Sequence, residues 1–311
     1  MMKSMRRMSW RNVRRAVIAR TANAFHRRIG TRYFRALGGI KGNGVTAYWW
    51  TGAYNFGDWI TPALLRVYGA IPILCEDPEK AEILSCGSIV GVLPRTYSGI
   101  VLGSGLMDDT TAHQLPYARI LALRGRLTKE RLGVVEDVVL GDPGLLAVDL
   151  TSKRIKKRFK LKLGIVPHAV DYRHPFVWTI ARRHPKQVAV VNVQRSVRHV
   201  IQQIQQCEHI LSSSLHGVVV ADALDIPSRW TILSDRVIGK GFKFRDYYSA
   251  FGVDQEPMRV TDKMTLSDIL EEMLPPPSGV HERQDTLRIL FQRLCGNLAE
   301  RGRHEPHGCT D

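Results

Sequence analysis

The stretch HILSSSLHG, residues 209–217, is followed at once by VVVADALDIP, residues 218–227. Its apolar start predicts a short buried strand at 209–211, and the apolar run after the turn predicts a helix. Three serines, a histidine and a glycine therefore fall between a strand and a helix. Open α/β sheets place their ligand crevice at this position. The stretch predicts an α/β fold with a polar site at the carboxyl edge of a parallel sheet.

The polar residues of this turn admit two interpretations. The first turn of the following helix offers unpaired N–H groups and the positive end of the helix dipole, which suit an anion. His216 could then move a proton to or from that anion. The alternative is an ordinary serine helix cap with a packed imidazole. Spacing alone leaves both interpretations open for Ser212, Ser213 and Ser214.

Strands and helices alternate along most of the chain. Strands are predicted at 45–50, 71–74, 83–86, 99–102, 120–123, 138–140, 163–168, 187–192, 209–211 and 229–233. Helices are predicted between several of them and after the last, for example at 128–132, 196–206, 266–274 and 285–298. Thr61 is predicted to cap the first helix, with Pro62 at its first position. This alternation indicates parallel sheets covered on both faces.

Length and composition indicate a globular protein of two domains. The chain has 311 residues, of which 44% are hydrophobic and 24% charged, which is too long for one ordinary core and too apolar for a disordered chain. We predict two Rossmann-like domains facing a cleft. The predicted divisions are a basic amphipathic segment at 1–40, an N-terminal domain at 41–150, a C-terminal domain at 151–280, and a closing helix with a loose tail at 281–311.

Positive charge is concentrated at the N-terminus. The net charge is +16, and residues 1–35 contain 11 lysines and arginines and no carboxylate. Apolar residues recur there every four positions, which predicts a basic amphipathic helix that binds an anionic membrane surface. Nucleic acid is disfavoured because no aromatic platform or binding motif accompanies the charge. A solvated tail without a partner is the alternative. A second basic run at 153–162 is predicted to be a surface linker.

Several common sites and targeting signals are missing from the sequence. There is no P-loop and no GxSxG motif, and Gly103-Ser104-Gly105 fails as a dinucleotide fingerprint because Asp108 occupies the sixth position. The five cysteines lack CxxC spacing, which predicts reduced thiols and no metal site. No apolar run would cross a bilayer and no secretory signal is recognised. We therefore expect a cytoplasmic protein, peripheral on the inner face of the cytoplasmic membrane.

Further polar residues follow other predicted strands. Asn55 and Asp58 could hydrogen-bond sugar hydroxyls, and Asp58 could act as a base or simply cap the next turn. Arg124 could clamp a carboxylate or phosphate, or could be an exposed charge. His168 could take part in catalysis or be a buried imidazole whose hydrogen bonds are satisfied.

Taken together, these pieces resemble the polysaccharide pyruvyl transferase family, and most closely its bacterial exopolysaccharide branch. The resemblance runs from about residue 45 to residue 250 in the right order. The segments that carry it are 55–58, 103–105, 124–125, 140–144, 166–168, 212–217 with 226–227, and 241–248.

The resemblance implies a fold similar to that of GT-B glycosyltransferases, with the N-terminal domain as the acceptor side and the C-terminal domain as the donor side. It implies phosphoenolpyruvate as the donor co-substrate, no other cofactor, no metal, and an oligosaccharide or lipid-linked saccharide as the acceptor. Members of this branch add a pyruvate ketal to a sugar of a lipid-linked repeat unit. The active-site histidine of the family falls on His216, which would act as the acid. Asp58 or His168 would then act as the base, and Ser212 to Ser214 would donate to the anion.

One departure from the family concerns the donor site. Several relatives carry arginine two residues before the active-site histidine, where this chain has Ser214. Another cation must then hold the donor's carboxylate or phosphate, and Arg124, Lys243 and Arg245 are the candidates. Two other functions stay open: a GT-B-type glycosyltransferase that uses a nucleotide-sugar, and a non-catalytic polysaccharide-assembly protein.

Overall fold

The computed structural model describes residues 44–110, 113–151 and 161–304, with side chains up to residue 297. The basic segment 1–40, including residues 1–35 for which membrane binding is predicted, lies outside this part of the chain. So do most of the basic run 153–162 and the end of the predicted tail. Among the described residues, no helix combines the length and the apolar character needed to cross a membrane.

The described strands form two sheets, and every strand pair within them is parallel. The first sheet contains β1 (Gly44–Tyr48), β2 (Ile71–Leu74), β3 (Ile83–Leu84), β4 (Ile100–Ser104), β5 (Arg119–Leu123) and β6 (Val139–Leu140). The second contains β7 (Leu161–Val166), β8 (Val188–Val190), β9 (Cys207–Ser212) and β10 (Ser228–Trp230). The prediction of a mixed α/β protein with parallel sheets is confirmed.

Helices connect and cover the strands. They are α1 (Ile60–Val67), α2 (Arg126–Arg131), α3 (Pro175–Arg183), α4 (Val197–Ile204), α5 (Leu215–Ala223), α6 (Phe242–Ser249), α7 (Leu266–Glu271) and α8 (Val280–His304). Every residue of α5 is buried, because the helix lies between β9 and a 3₁₀ helix, Pro143–Leu150, from the other half of the chain. One core cluster accordingly contains Leu64 and Leu145 from the first half and Val219 from the second.

The two sheets share the first four positions of their strand order. The first sheet runs β2-β1-β3-β4-β5-β6, and the second runs β10-β9-β7-β8. In each, the first strand lies between the second and the third, as in flavodoxin-like folds. The order therefore reverses between β1 and β3 and again between β7 and β9. Open α/β sheets bind ligands outside the carboxyl ends of the strands at such a point.

The structure corrects two predicted boundaries. Thr61 does not cap α1, which begins at Ile60, because the chain already turns helically from Phe56 onward through bonds such as Trp59 N–H to the Phe56 carbonyl. The hydroxyl of Thr61 donates instead to the Cys86 carbonyl at 3.4 Å. The end of the basic run is also not linker, since Lys162 lies in β7 and pairs with Glu208 at 2.8 Å.

Candidate functional site

Segments that follow strands of both sheets meet in one polar site. Cys86, just after β3, has its Sγ 3.2 Å from Nε2 of His216 in α5. Arg124, just after β5, pairs with Asp246 of α6 at 2.8 Å. These contacts bring the carboxyl edges of the two sheets to the same place. The sequence predicts polar residues at the carboxyl edge of each sheet.

The two ring nitrogens of His216 face different surroundings. Nε2 lies 3.7 Å from a carboxylate oxygen of Asp142. Nδ1 faces the loop after β1, where a Cβ on Gly57 would collide with it. Burial lowers the pKa of His216, and the negative charge of Asp142 opposes that shift. The imidazole thus has a carboxylate on one side, which can orient it, and the Asn55–Asp58 loop on the other.

Asp142 is buried, and among the described residues hydrogen bonds are seen to only one of its two carboxylate oxygens. Its Oδ1 accepts from the Gly144 N–H at 2.7 Å and from the Cys86 thiol at 3.5 Å. Its Oδ2 is buried and has no hydrogen-bond partner within the described part of the chain. Native proteins rarely leave a buried carboxylate oxygen unpaired, so Oδ2 is open to a hydrogen-bond donor, and Nε2 of His216 lies 3.7 Å from it.

The same three side chains are chemically able to hold a cation. Cys86, Asp142 and His216 are all buried, and their ligand atoms lie within 4.8 Å of one another, as no other such group does among the residues described. Burial raises the pKa of the Cys86 thiol well above its usual value. The thiol is therefore protonated at neutral pH, which opposes metal binding because the thiolate is the ligand form. That the site needs no metal stays a prediction.

Asp58 has the properties of a proton-transfer group. Burial raises the pKa of its carboxyl to about 7, against the opposing effects of a hydrogen bond from Asn55 and the charge of Lys243. The Asn55 amide donates to it at 3.2 Å. Asp58 does not cap α1, since Trp59 occupies that position. A carboxyl with a pKa near neutrality can both give and take a proton under physiological conditions.

Lys243 is a buried cation without a counter-ion. Its side chain is only 6% exposed, and no carboxylate of the described residues lies within ion-pair distance of its Nζ. Burial, reinforced by the charge of Arg124, lowers its pKa to about 8, while Asp58 and Asp171 oppose the shift. Lys243 is therefore mostly protonated at pH 7 and close enough to both carboxylates to interact with them.

Arg124 is also buried, and each of its three guanidinium nitrogens donates to an acceptor within the protein. It is 0% exposed, so the alternative of an exposed charge is wrong. Nε donates to Asp246 at 2.8 Å, Nη1 to the Ser88 hydroxyl at 2.5 Å, and Nη2 to the Leu106 carbonyl at 2.6 Å. Asp246 also accepts from the N–H and the hydroxyl of Thr128, both at 2.7 Å. This network ties the first sheet to α6.

The three serines brace the turn between β9 and α5. Ser212 Oγ donates to the Val166 carbonyl at 2.8 Å and accepts from the Ser214 N–H at 3.0 Å. Ser213 Oγ donates to Asp171 at 3.0 Å. Ser214 is the residue before α5, yet its side chain makes no capping bond. The ordinary cap interpretation is therefore wrong for Ser214.

His168 and Arg245 lie at the border of the site. His168 is half-buried; burial, reinforced by the charge of Lys243, lowers its pKa to about 4, so the imidazole is neutral at pH 7. Its backbone N–H donates to Ser213 Oγ at 2.9 Å. Arg245 is half-buried and donates to the Lys240 carbonyl at 3.2 Å.

Four carboxyl and thiol groups at the site were missed by sequence reasoning. Asp142 and Asp246 lie inside segments that carried the family resemblance, but nothing in their spacing singled them out. Asp171 follows His168 by three residues, a weak signal at best. Cys86 had no signal at all, because its partner His216 is 130 residues away.

Fold and site together define a class: an α/β protein whose two parallel sheets meet at a buried site of titratable groups. Residues 99–233 match the family model described as polysaccharide pyruvyl transferase. The chain is 27% identical over 225 residues to the succinoglycan biosynthesis protein ExoV of Rhizobium meliloti (strain 1021), covering 68% of this chain and 66% of that protein. It is 26% identical over 180 residues to an uncharacterized protein of Acanthamoeba polyphaga mimivirus, covering 54% of this chain and 62% of that protein.

Over residues 99–233, less than half of its length, the chain is therefore similar to the polysaccharide pyruvyl transferase family. The matched region contains strands β4 to β10 and includes the site residues Arg124, Ser214 and His216. The chain spans slightly less than two thirds of the length of both relatives.

Proposed function

We propose that the protein is a transferase that moves pyruvate from phosphoenolpyruvate onto two hydroxyls of a saccharide, forming a ketal during exopolysaccharide biosynthesis. The family and the relative named for succinoglycan biosynthesis support this activity. Phosphoenolpyruvate as donor, a lipid-linked acceptor, a GT-B-like arrangement of the two halves and a peripheral position on the cytoplasmic face of the membrane belong to the same proposal.

The observation that carries the proposal is Lys243, a buried cation that has no counter-ion among the described residues and lies beside two proton-transfer groups. A buried charge is costly unless something pairs with it. Phosphoenolpyruvate would supply that pair through its carboxylate or phosphate, in place of the arginine that the family resemblance implies at the position of Ser214. Ser212 and Ser213 hold the turn before α5 through their hydroxyls, and the first N–H groups of α5 would add donors to the anion.

The chemistry assigns a role to each titratable group. A proton adds to the methylene carbon of the donor, one sugar hydroxyl attacks the resulting cationic carbon, phosphate leaves, and a second hydroxyl attacks to close the ketal. Each attacking hydroxyl gives up its proton. His216, oriented by Asp142, supplies the proton, and its lowered pKa makes its protonated form a stronger acid. Asp58 or His168 accepts protons from the hydroxyls.

Such acid–base help contributes about 10²–10⁴-fold in rate per group. Lys243 contributes orientation and charge stabilisation, because its charge is fixed before the donor arrives.

Phosphate release tests the proposed function directly. The purified full chain is incubated with phosphoenolpyruvate, with and without the saccharide fraction of the host's own polymer. We expect phosphate release only when both are present, and near-complete loss in His216→Ala. Release of a nucleoside diphosphate from a nucleotide-sugar with the same acceptor would overturn the proposal in favour of glycosyl transfer. Unchanged polymer pyruvate in a strain carrying His216→Ala would overturn it in favour of a non-catalytic role.

A further inference from the structure

A cavity of about 340 Å³ lies at the carboxyl ends of β9 and β10, beside the site described above. Ser213 and Phe244 both line it. Ser213 precedes His216 by three residues, and Phe244 follows Lys243 directly. The cavity therefore shares a wall with the place where we put the donor anion, but neither His216 nor Lys243 lines it.

The hydroxyl groups of the cavity wall direct their protons into the protein. Ser213 and Ser234 both donate to the carboxylate of Asp171, which is itself wholly buried. Thr231 donates to the Met258 carbonyl at 2.8 Å. Because the hydroxyl protons of Ser213 and Thr231 are already donated to these acceptors, their oxygens can only accept hydrogen bonds from a ligand. The wall thus suits a ligand that brings hydroxyl donors of its own.

Charge and shape point the same way. Asp235 and Lys240, both exposed residues, give the lining one carboxylate and one ammonium, so it is close to neutral. A multiply charged anion gains little there, in contrast to the surroundings of Lys243. Val237 and the Phe244 ring provide apolar surface. The Phe244 ring stacks on Trp230 with the ring centroids 4.7 Å apart, which holds it in place. A sugar ring has both features such a wall needs: an apolar face of C–H groups and an edge of hydroxyls.

We propose that this cavity binds the sugar ring of the acceptor that receives the pyruvate. Its volume falls at the small end of the range of about 300–1,000 Å³ that ligand sites occupy, which fits one or two rings. The inference rests on the proposed function. It places the acceptor sugar on the C-terminal half, next to the donor, whereas the resemblance puts the acceptor on the N-terminal half. His168 adjoins this wall, since its backbone N–H donates to the Ser213 hydroxyl.

Substitutions at two neighbouring positions distinguish an effect on the cavity from an effect on the surrounding surface. Val237→Trp adds an indole to a lining position, and Val237→Phe adds a smaller ring. Ile238→Trp is the matched control, because Ile238 is 67% exposed and does not line the cavity. Binding of methyl β-D-glucopyranoside and methyl β-D-galactopyranoside is measured by saturation-transfer NMR on the full chain. Binding of phosphoenolpyruvate alone is measured separately by calorimetry.

We expect Val237→Trp to weaken glycoside binding by about tenfold or more, with Val237→Phe intermediate and Ile238→Trp like the parent protein. Phosphoenolpyruvate binding should survive in all three variants, which also shows that they fold. Equal glycoside binding in Val237→Trp and Ile238→Trp would overturn the inference, as would a parent protein that binds neither glycoside. A protein that binds glycosides in this pattern but never phosphoenolpyruvate would support the cavity and overturn the proposed donor.

Discussion

Arg124 and Lys243 are two buried cations that come from opposite halves of the chain and face the same site. Arg124 is 0% exposed, and all three of its guanidinium nitrogens donate to protein acceptors. Lys243 is 6% exposed and has no ion-pair partner among the described residues. The two charges lie close enough for Arg124 to lower the pKa of Lys243.

The difference in pairing suggests two roles: the charge of Arg124 stabilises the structure of the site, and the charge of Lys243 is available to a ligand. A buried ion whose charge is paired within the protein is costly to disturb and has less charge to offer a substrate. An unpaired buried ion costs stability until a counter-ion arrives. The fold keeps Lys243 in this state because Asp246, one helical turn further along α6, is held by Arg124 and Thr128. We infer that Arg124 positions the helix on which Lys243 binds the donor.

The largest expected effect comes from removing the paired cation. Arg124→Ala leaves Asp246 buried with its charge uncompensated, and breaking such a pair costs about 3–5 kcal/mol in the free energy of unfolding. Urea denaturation of the full chain measures this loss. Arg126→Ala is the control, because Arg126 is exposed two residues further on. A loss in Arg124→Ala no larger than that of the control would show that Arg124 does not hold the halves together.

The next effect comes from Asp142, a buried carboxylate that lies beside His216, whereas Asp246 is paired with Arg124. Asn in place of Asp142 keeps an oxygen for the Gly144 N–H but removes the charge beside His216. We expect kcat to fall about 10²-fold, the low end of the range for general acid–base catalysis, with little change in unfolding. Steady-state rates with phosphoenolpyruvate and acceptor, measured alongside thermal unfolding, check both parts. A variant that unfolds easily yet keeps its kcat would contradict the role of Asp142 as an orienting group.

The pH dependence gives a smaller but diagnostic effect. As a base, Asp58 must be deprotonated, so kcat/KM should rise with pH through about 7. Lys243 must be protonated to hold the anion, so kcat/KM should fall through about 8. His216, as the acid, must be protonated, and burial lowers its pKa, so its deprotonation flattens the rise and adds to the fall of kcat/KM with pH. His168, with a pKa of about 4, adds no limb in this range. Initial rates from pH 5 to pH 10 should therefore trace a narrow bell. A profile that still rises at pH 9 would exclude Lys243 as the donor's cation.

Much of the fold could be predicted from the sequence, because strand and helix patterns are local. The stretch 209–217 predicted a strand, a polar turn and a helix, and the structure has β9, the serine turn and α5 there. The position of Asp58, Arg124, His168 and His216 after strands was equally visible. Parallel strands bring such residues to one edge of each sheet, and the contacts of Cys86 with His216 and of Arg124 with Asp246 join the two edges.

What could not be predicted depends on contacts between distant residues. The sequence predicts that Arg124 binds substrate, but it does not reveal the partner Asp246, which lies 122 residues away along the chain. The same holds for the Cys86 contact with His216 and for the unpaired oxygen of Asp142. Burial decided the roles of the two cations, and burial follows from the whole fold.

Calorimetric titration of phosphoenolpyruvate into the full chain at pH 7 tests the role of Lys243 most directly. Lys243→Met keeps the length of the side chain and removes its charge. Because hydrogen bonds to charged groups are worth about 1.5–3 kcal/mol, we expect this variant to bind the donor about 10–100-fold more weakly than the parent protein. Arg245→Met, two residues further along α6, should bind it with nearly the parent affinity. Equal affinity in Lys243→Met and the parent protein would contradict the account.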